Sequence, residues 1–284
     1  MKNISALIVI ALFLFSCRKE EHETPDKKMV PVTFVAEAFQ QSVKDITPGV
    51  SDAELAAEHL EYLYCFIFNG NGTLVNAITQ VKSNDPQFGT FRDTLQYGDS
   101  YKALFFGSKK ELDFNLEGYA ESHLKFSEDD IFFNRSDFNL GSYNPIRQSF
   151  ALDRIIGKLN LVIQDRVPQN VSYLKIKRNS ASQFYFNGNI PVNGDSELKV
   201  PVEKYRGTTI PPVSLTTIEK DENVSLTIEA YDNADNVVSA RYVTVQPIPN
   251  KMITLTGLLF VNTAQFTVLV NHEWSKDEQV VKWW

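Results

Sequence analysis

The sequence predicts an all-β protein built from β-sandwiches. Three observations carry that prediction. Short runs rich in Val, Ile, Leu, Phe and Tyr recur along most of the chain, with Gly, Asn, Asp or Pro between them, the spacing expected of sandwich strands. Asn69-Gly70-Asn71-Gly72 lies between two such runs, and Asn-Gly in that setting is a strong hairpin signal. Helical spacing is confined to one short stretch near residue 55, and no repeat of solenoid length is visible.

The chain opens on Lys2, followed by an almost wholly apolar run from Ile4 to Phe15 and then Ser16-Cys17. A basic flank, a short apolar run and a small residue before the cut make a secretory signal, and the run falls short of the roughly 20 apolar residues of a membrane span. Leu14-Phe15-Ser16-Cys17 resembles a bacterial lipobox, which implies cleavage between Ser16 and Cys17 and acylation of Cys17, by palmitate or similar chains. Arg18-Lys19-Glu20-Glu21 resembles the tag, here Lys19, Glu20 and Glu21, that sends Bacteroides-type lipoproteins to the outer face of the outer membrane; an ordinary charged tether is the alternative. Glu20 to Lys28 is charged and aperiodic, as a flexible tether is.

Val30 to Phe39 alternates, placing Val32, Phe34, Ala36 and Ala38 on one face, and predicts a first strand. Ser51-Asp52-Ala53-Glu54 resembles a capping box, and Leu55, His59 and Leu60 continue it as a short helix. Tyr62–Phe68, Thr73–Ile78 and Tyr101–Phe106 are the next strands. Leu112 to Tyr143 is irregular and predicts long loops or short turns, with a helical turn starting at Ser127–Asp130. Asn144-Pro145 punctuates the chain, so a boundary is expected near residue 150. Beyond it the strand candidates are Ile155–Gln164, Val171–Lys177, Phe184–Phe186, Leu198–Val202, Val224–Tyr231, Val237–Val245, Met252–Phe260 and Phe266–Val270. The stretch Cys65–Val75 echoes Ile228–Val238, each being strand, polar turn, strand. The expected organisation is a signal peptide over 1–16, a lipidated tether over 17–29, and two β-sandwiches over 30–149 and 150–284.

Composition narrows the function classes. Removing the first 16 of 284 residues leaves 268 and takes the formal charge from −7 to −8. An acidic chain with no basic block gives no electrostatic reason to bind nucleic acid. Acyl chains, at about 0.8 kcal/mol per buried CH₂, supply the membrane attachment instead. His22, His59, His123 and His272 form no His-Glu-x-x-His pair, and no cysteine cluster has metal spacing. No nucleophile elbow or phosphate-binding loop is present. Asp232-Asn-Ala-Asp-Asn236 has the acidic spacing of a calcium loop but places Val237 where the Gly is needed and has no Glu at the twelfth position, so a hairpin turn is expected. Neither an enzyme nor a cofactor nor a metal is expected. Cys65, between Tyr64 and Phe66, is expected to be a buried, inert thiol.

Trp274, Trp283 and Trp284 all lie in the last eleven residues. Packing of a last strand, a protein interface and sugar stacking are the three readings. Val280, Val281, Trp283 and Trp284 make the segment a terminal strand, either in its own sheet or lent to a neighbour. Asp93-Thr94-Leu95 resembles the O-glycosylation motif of Bacteroides-type cells, making Thr94 a candidate acceptor.

Over most of its mature length the chain resembles the FimB-like fimbrial anchor subunits of Bacteroidales. The resemblance rests on the order of Cys17, Tyr64–Val75, Tyr97–Gly107, Arg154–Ile163, Ile253–Phe260 and Phe266–Trp274. It implies two transthyretin-like β-sandwich domains and a lipoprotein at the base of a surface pilus, anchoring the fimbria and limiting its length. The implied partners are outer-membrane lipid, through Cys17, and a fimbrial stalk subunit, through β-strand complementation. Stalk subunits of this class are thought to lose an N-terminal strand to an arginine-specific protease; here no arginine occurs between Arg18 and Arg92, so the first strand is expected to stay. A tip or minor fimbrial adhesin, and a surface glycan-binding lipoprotein, are the alternative readings.

Overall fold

The structure is a computed structural model that describes residues 28–37, 60–127, 129–191, 194–218, 222–261, 267–271 and 279–281. Along the chain the strands are β1 (Met29–Ala36), β2 (Tyr62–Asn69), β3 (Leu74–Val81), β4 (Thr90–Gln96), β5 (Ser100–Ser108), β6 (Phe114–Asn115), β7 (His123–Lys125), β8 (Ile131–Asn139), β9 (Ile146–Phe150) and β10 (Asp153–Arg154). There follow β11 (Gly157–Ile163), β12 (Tyr173–Ser180), β13 (Gln183–Tyr185), β14 (Gly194–Pro201), β15 (Val213–Thr217), β16 (Val224–Tyr231), β17 (Val237–Val245), β18 (Met252–Gly257), β19 (Thr267–Asn271) and β20 (Gln279–Val281). The described residues are thus nearly all β, with one 3-10 turn at Glu203–Tyr205.

A three-stranded sheet, β4-β1-β9, faces a five-stranded sheet, β10-β8-β5-β2-β3. Val30, Val32 and Phe34 of β1 alternate into the space between them, meeting Leu63, Cys65 and Ile67 of β2 and Phe105 of β5. β1 is the middle strand of its sheet, antiparallel to β4 and parallel to β9. Its apolar alternation is the period-2 pattern of a strand buried on one face.

β2 and β5 differ, because they are buried on both faces. Tyr64, Phe66 and Phe68, with Leu104 and Phe106, point away from the first core into a second one. A sheet covered on both sides needs continuous apolar runs rather than alternation, which is why Tyr62–Phe68 is unbroken. The second core is closed by the small sheet β13-β7-β6, in which Phe184 pairs with Leu124. Phe184 and Phe186 come from the later half of the chain, so this aromatic core joins the two halves. Arg154 reinforces the junction: its buried guanidinium donates to Asn250 Oδ1 at 3.1 Å and reaches Asp130 Oδ2 at 3.5 Å.

The later half forms its own face-to-face pair, β15-β11-β18-β19-β20 against β14-β12-β16-β17. Leu159, Leu161 and Ile163 of β11 meet Leu174 and Ile176 of β12 and Leu226 and Ile228 of β16 in a third core. The chain passes from the first pair of sheets to this one between Arg154 and Gly157.

The two echoing stretches adopt the same turn. Asn69 Oδ1 accepts from the N–H groups of Asn71 and Thr73 at 3.1 and 3.0 Å, and Asp232 Oδ1 accepts from Ala234 and Asn236 at 2.8 and 2.9 Å. Each turn holds its fourth residue in the left-handed region, Gly72 at φ 80° and Asp235 at φ 59°. A register shift precedes the turn at the same place in each hairpin, at Ile67/Phe68 and at Ala230/Tyr231.

One expectation is overturned. Leu112–Tyr143 is not a set of long loops; it contains β6, β7 and the nine-residue β8. Asn134, Arg135, Ser136 and Asp137 disguise β8 because β10 covers only Phe132 and Phe133, leaving the rest of β8 at an open edge where polar residues are stable. Ser127, Asp129 and Asp130 are not helical, and Glu128 lies outside the described residues. The capping box and its helix over 51–59 also fall outside them, as do Ala38 and Phe39 of the expected first strand. β4, β9 and β15 are strands that the apolar pattern alone did not single out.

Candidate functional site

No group of three metal-ligating side chains converges among the described residues. Among the described residues, strand edges and the groove between two of them are the features able to engage another protein strand. Every edge strand presents unpaired backbone groups, so its side chains decide whether it attracts or repels another strand.

β14 and β15 end opposing sheets on the same side of the second sandwich. The core-facing side chains of β14 are Ser196, Leu198 and Val200, in register with Arg178, Ile176 and Leu174 of β12. Ile176 is 1% exposed, whereas Leu198 beside it is 38% exposed, because the facing sheet stops at β15. The resulting groove is floored by Leu198, Ser214 and Leu215 and continues past Val200, Val213, Ile210 and Tyr205. Arg178 closes one end: it is buried, donates to Ser196 Oγ at 2.7 Å, and donates across to the Thr216 carbonyl of the other sheet. The rims are guarded. Asp195, Glu197, Lys199 and Pro201 line the β14 edge, and Pro211 and Pro212 precede β15, the residue types that discourage indiscriminate pairing.

The opposite edge of the β14-β12-β16-β17 sheet is less guarded. β17 is nine residues long, and Val237 and Tyr242 on it are 53% and 78% exposed. Its one charged residue, Arg241, folds back to donate to the Val261 carbonyl and to Ala240 O.

The outer face of this sheet carries a polar ladder. Tyr173 and Tyr231 stack at 4.9 Å, and Lys199 lies 3.7 Å over the Tyr173 ring. The Tyr173 hydroxyl donates to Asp235 at 2.7 Å, which pushes its pKa up to about 12. Glu229 accepts from the Tyr231 hydroxyl and pairs with Lys177 at 2.9 Å, and both contacts hold its carboxyl below the ordinary value. These groups are mutually satisfied and present no reactive side chain.

The residues singled out from the sequence are scattered. Ser16, Cys17, Lys19, Glu20, Glu21, Trp274, Trp283 and Trp284 lie outside the described residues. Val280 and Val281 are in β20, antiparallel to β19 with Val281 opposite Val268, at the end of its sheet. Thr94 is exposed on β4, itself an edge strand, opposite Pro31. Cys65 is fully buried, and burial raises its thiol pKa well above the usual range. Asp232 serves its turn as a backbone cap, and Asn236 holds its carboxyl below the ordinary value. The β14/β15 groove was not legible in the sequence; the signal available was Pro211-Pro212 ahead of an apolar run, which marks an edge without saying what it borders.

The family model described as fimbrillin-A associated anchor proteins Mfa1 and Mfa2 matches residues 21–275. Among solved structures, the chain is similar to the fimbrial anchor protein Mfa2 of Porphyromonas gingivalis, with TM-score 0.56 and 12% identity over 86% of this chain and 97% of that one. It is similar to a candidate polysaccharide-binding protein of Bacteroides thetaiotaomicron, with TM-score 0.57 and 12% identity over 88% and 98%. A candidate cell adhesion protein of Bacteroides eggerthii gives TM-score 0.54 and 10% identity over 86% and 95%. At these identities the likeness is one of fold. No curated protein matches in sequence.

Proposed function

The chain belongs to the family of fimbrillin-A associated anchor proteins, and from that premise we propose that it is an outer-membrane lipoprotein that anchors a fimbria to the cell surface and limits its length. The observation that carries this reading is the family match over residues 21–275, which begins four residues after Cys17. Acylated Cys17, exposed by cleavage after Ser16 and followed by Lys19, Glu20 and Glu21, holds the membrane. The two sandwiches project outward and act structurally, without catalysis. The later sandwich holds the first stalk subunit by strand complementation, through the terminal strand with Val280 and Val281 and the segment that ends in Trp283 and Trp284.

The position of β1 supports a fixed, terminal role. It lies between β4 and β9, and Val30, Val32 and Phe34 on it are essentially unexposed. Losing it would divide its sheet and uncover the first core. With no arginine between Arg18 and Arg92, an arginine-specific protease has no cut there that removes β1. No helix among the described residues is long and apolar enough to cross a membrane.

The test is electron microscopy of cells lacking the protein, together with their spent medium. Long fimbriae shed into the medium are expected. Normal fimbriae that remain attached would refute anchoring and favour an adhesin at the tip.

A further inference from the structure

A stacked tyrosine pair with one exposed ring lies where the tether enters the fold. Lys28 is the first described residue, and its carbonyl accepts from Tyr97 N–H at 2.8 Å. The Tyr97 ring stacks on Tyr143 at 4.0 Å, and Lys28 Nζ sits 4.4 Å from the Tyr143 centroid. Tyr143 is 54% exposed, and so is Met29, which the alternation of β1 sets on the face opposite Lys28 and Val30. The loop that presents Tyr143 is tied down at Leu140, whose N–H donates to Asp99 O at 3.0 Å and whose carbonyl accepts from Gly98 N–H at 2.9 Å. Gly141, Ser142, Asn144 and Pro145 around it are exposed and uncharged.

Eleven peptide steps separate Lys28 from Cys17. Fully extended they span at most about 40 Å, and as a flexible coil about 20 Å. If Cys17 is in the bilayer, this end of the first sandwich is held beside the lipid surface. Its residue types suit that surface. Tyrosine keeps its ring in the apolar boundary and its hydroxyl in water, lysine extends its ammonium back to the headgroups, and methionine fills irregular apolar space.

We propose that Lys28, Met29, Tyr97 and Tyr143 form a contact that enters the interfacial layer of the membrane and sets the orientation of the anchored protein. The proposal rests on the reading that Cys17 is acylated. A contact of this kind holds the sandwich upright on its base, whereas a tether alone lets it swing.

The test uses the lipidated full chain in vesicles of phosphatidylethanolamine and phosphatidylglycerol, with a nitroxide on Ser142→Cys and a reference nitroxide on Ser225→Cys in the second sandwich. Cys65 is buried and does not compete for label. Collisional accessibility to oxygen and to a water-soluble nickel chelate is measured at both sites. The label at 142 is expected to be severalfold less accessible to nickel than the label at 225, and to lose that protection in a Met29→Ser, Tyr143→Ser background that still floats with vesicles. Equal, aqueous accessibility at both sites in the parent overturns the contact while leaving lipidation intact. Protection at 142 with spin–spin broadening and no gain in oxygen accessibility identifies a second copy as the occupant and also overturns it. Failure of the parent to float with vesicles overturns the acylation reading, and the proposal with it.

Discussion

Replacing Phe106 with Ala should both destabilise the protein and loosen the junction between its halves. The ring is fully buried on β5, with centroids at 4.9 Å from Phe133, 5.1 Å from Phe114 and 5.2 Å from Phe186, and Phe184 edge-on at 6.2 Å. Core Phe→Ala changes cost about 3–5 kcal/mol, and aromatic contacts each add about 0.5–1.5 kcal/mol beyond burial. With Phe66 at 6.1 Å as a fifth such neighbour, Phe106 belongs near the top of the range, about 4–5 kcal/mol. For a urea slope of about 3 kcal/mol/M, the midpoint should fall by roughly 1.5 M. The neighbouring Phe105 is the control. It is as buried but points to the first core, stacked on Phe150 at 3.7 Å, so Phe105→Ala should cost a similar amount. The two differ in where the damage spreads. Phe184 and Phe186 lose a partner only in Phe106→Ala, so amide exchange at Gln183–Tyr185, the strand β13 that pairs with β7, should quicken in that variant alone. Urea titration followed by circular dichroism gives the first quantity and hydrogen exchange by mass spectrometry the second. Equal exchange at 183–185 in the two variants, compared at the same distance from their midpoints, would refute the assignment of Phe106 to the junction.

Two further outcomes are expected. Gly72→Ala should destabilise by about 1 kcal/mol, because φ 80° costs a residue with a Cβ about that much, while Asp235→Gly in the matching turn relieves the same strain but forfeits the hydrogen bond from Tyr173 and should be near neutral; thermal melts of both variants check the pair. On acidification, stability should begin to fall below about pH 4, the ordinary carboxylate range. Asp137, held low by Arg135, Glu229, held low by Tyr231 and Lys177, and Asp232, held low by Asn236, have depressed values in the fold. A depressed carboxyl contributes stability above its unfolded value and loses it as pH falls through its folded value. Asp137 is exposed and Glu229 and Asp232 are half-buried at the surface, so solvent screening keeps the slope shallow, and Asp137→Asn should flatten it in a pH series of urea midpoints.

What the sequence determined by itself was local. The continuous run Tyr62–Phe68 announced a strand with no solvent face, and the Asn-Gly and Asp-Asn turns announced two hairpins with one geometry, because an Asx side chain that caps its own turn needs nothing distant. The expectation of a lipobox and a charged tether likewise comes from adjacent residues. Which strands meet was decided only in three dimensions. The polar β8 is held by pairing along the whole of β5, and Ile146–Phe150 returns as a parallel neighbour of β1 from more than a hundred residues away; neither pairing has a periodicity to betray it. The exposed Leu198 and the stacked Tyr97 and Tyr143 make the same point. Side-chain chemistry and alternation fix the face on which a residue stands, while the ending of the opposite sheet, or the entry point of a tether, fixes whether that face is covered.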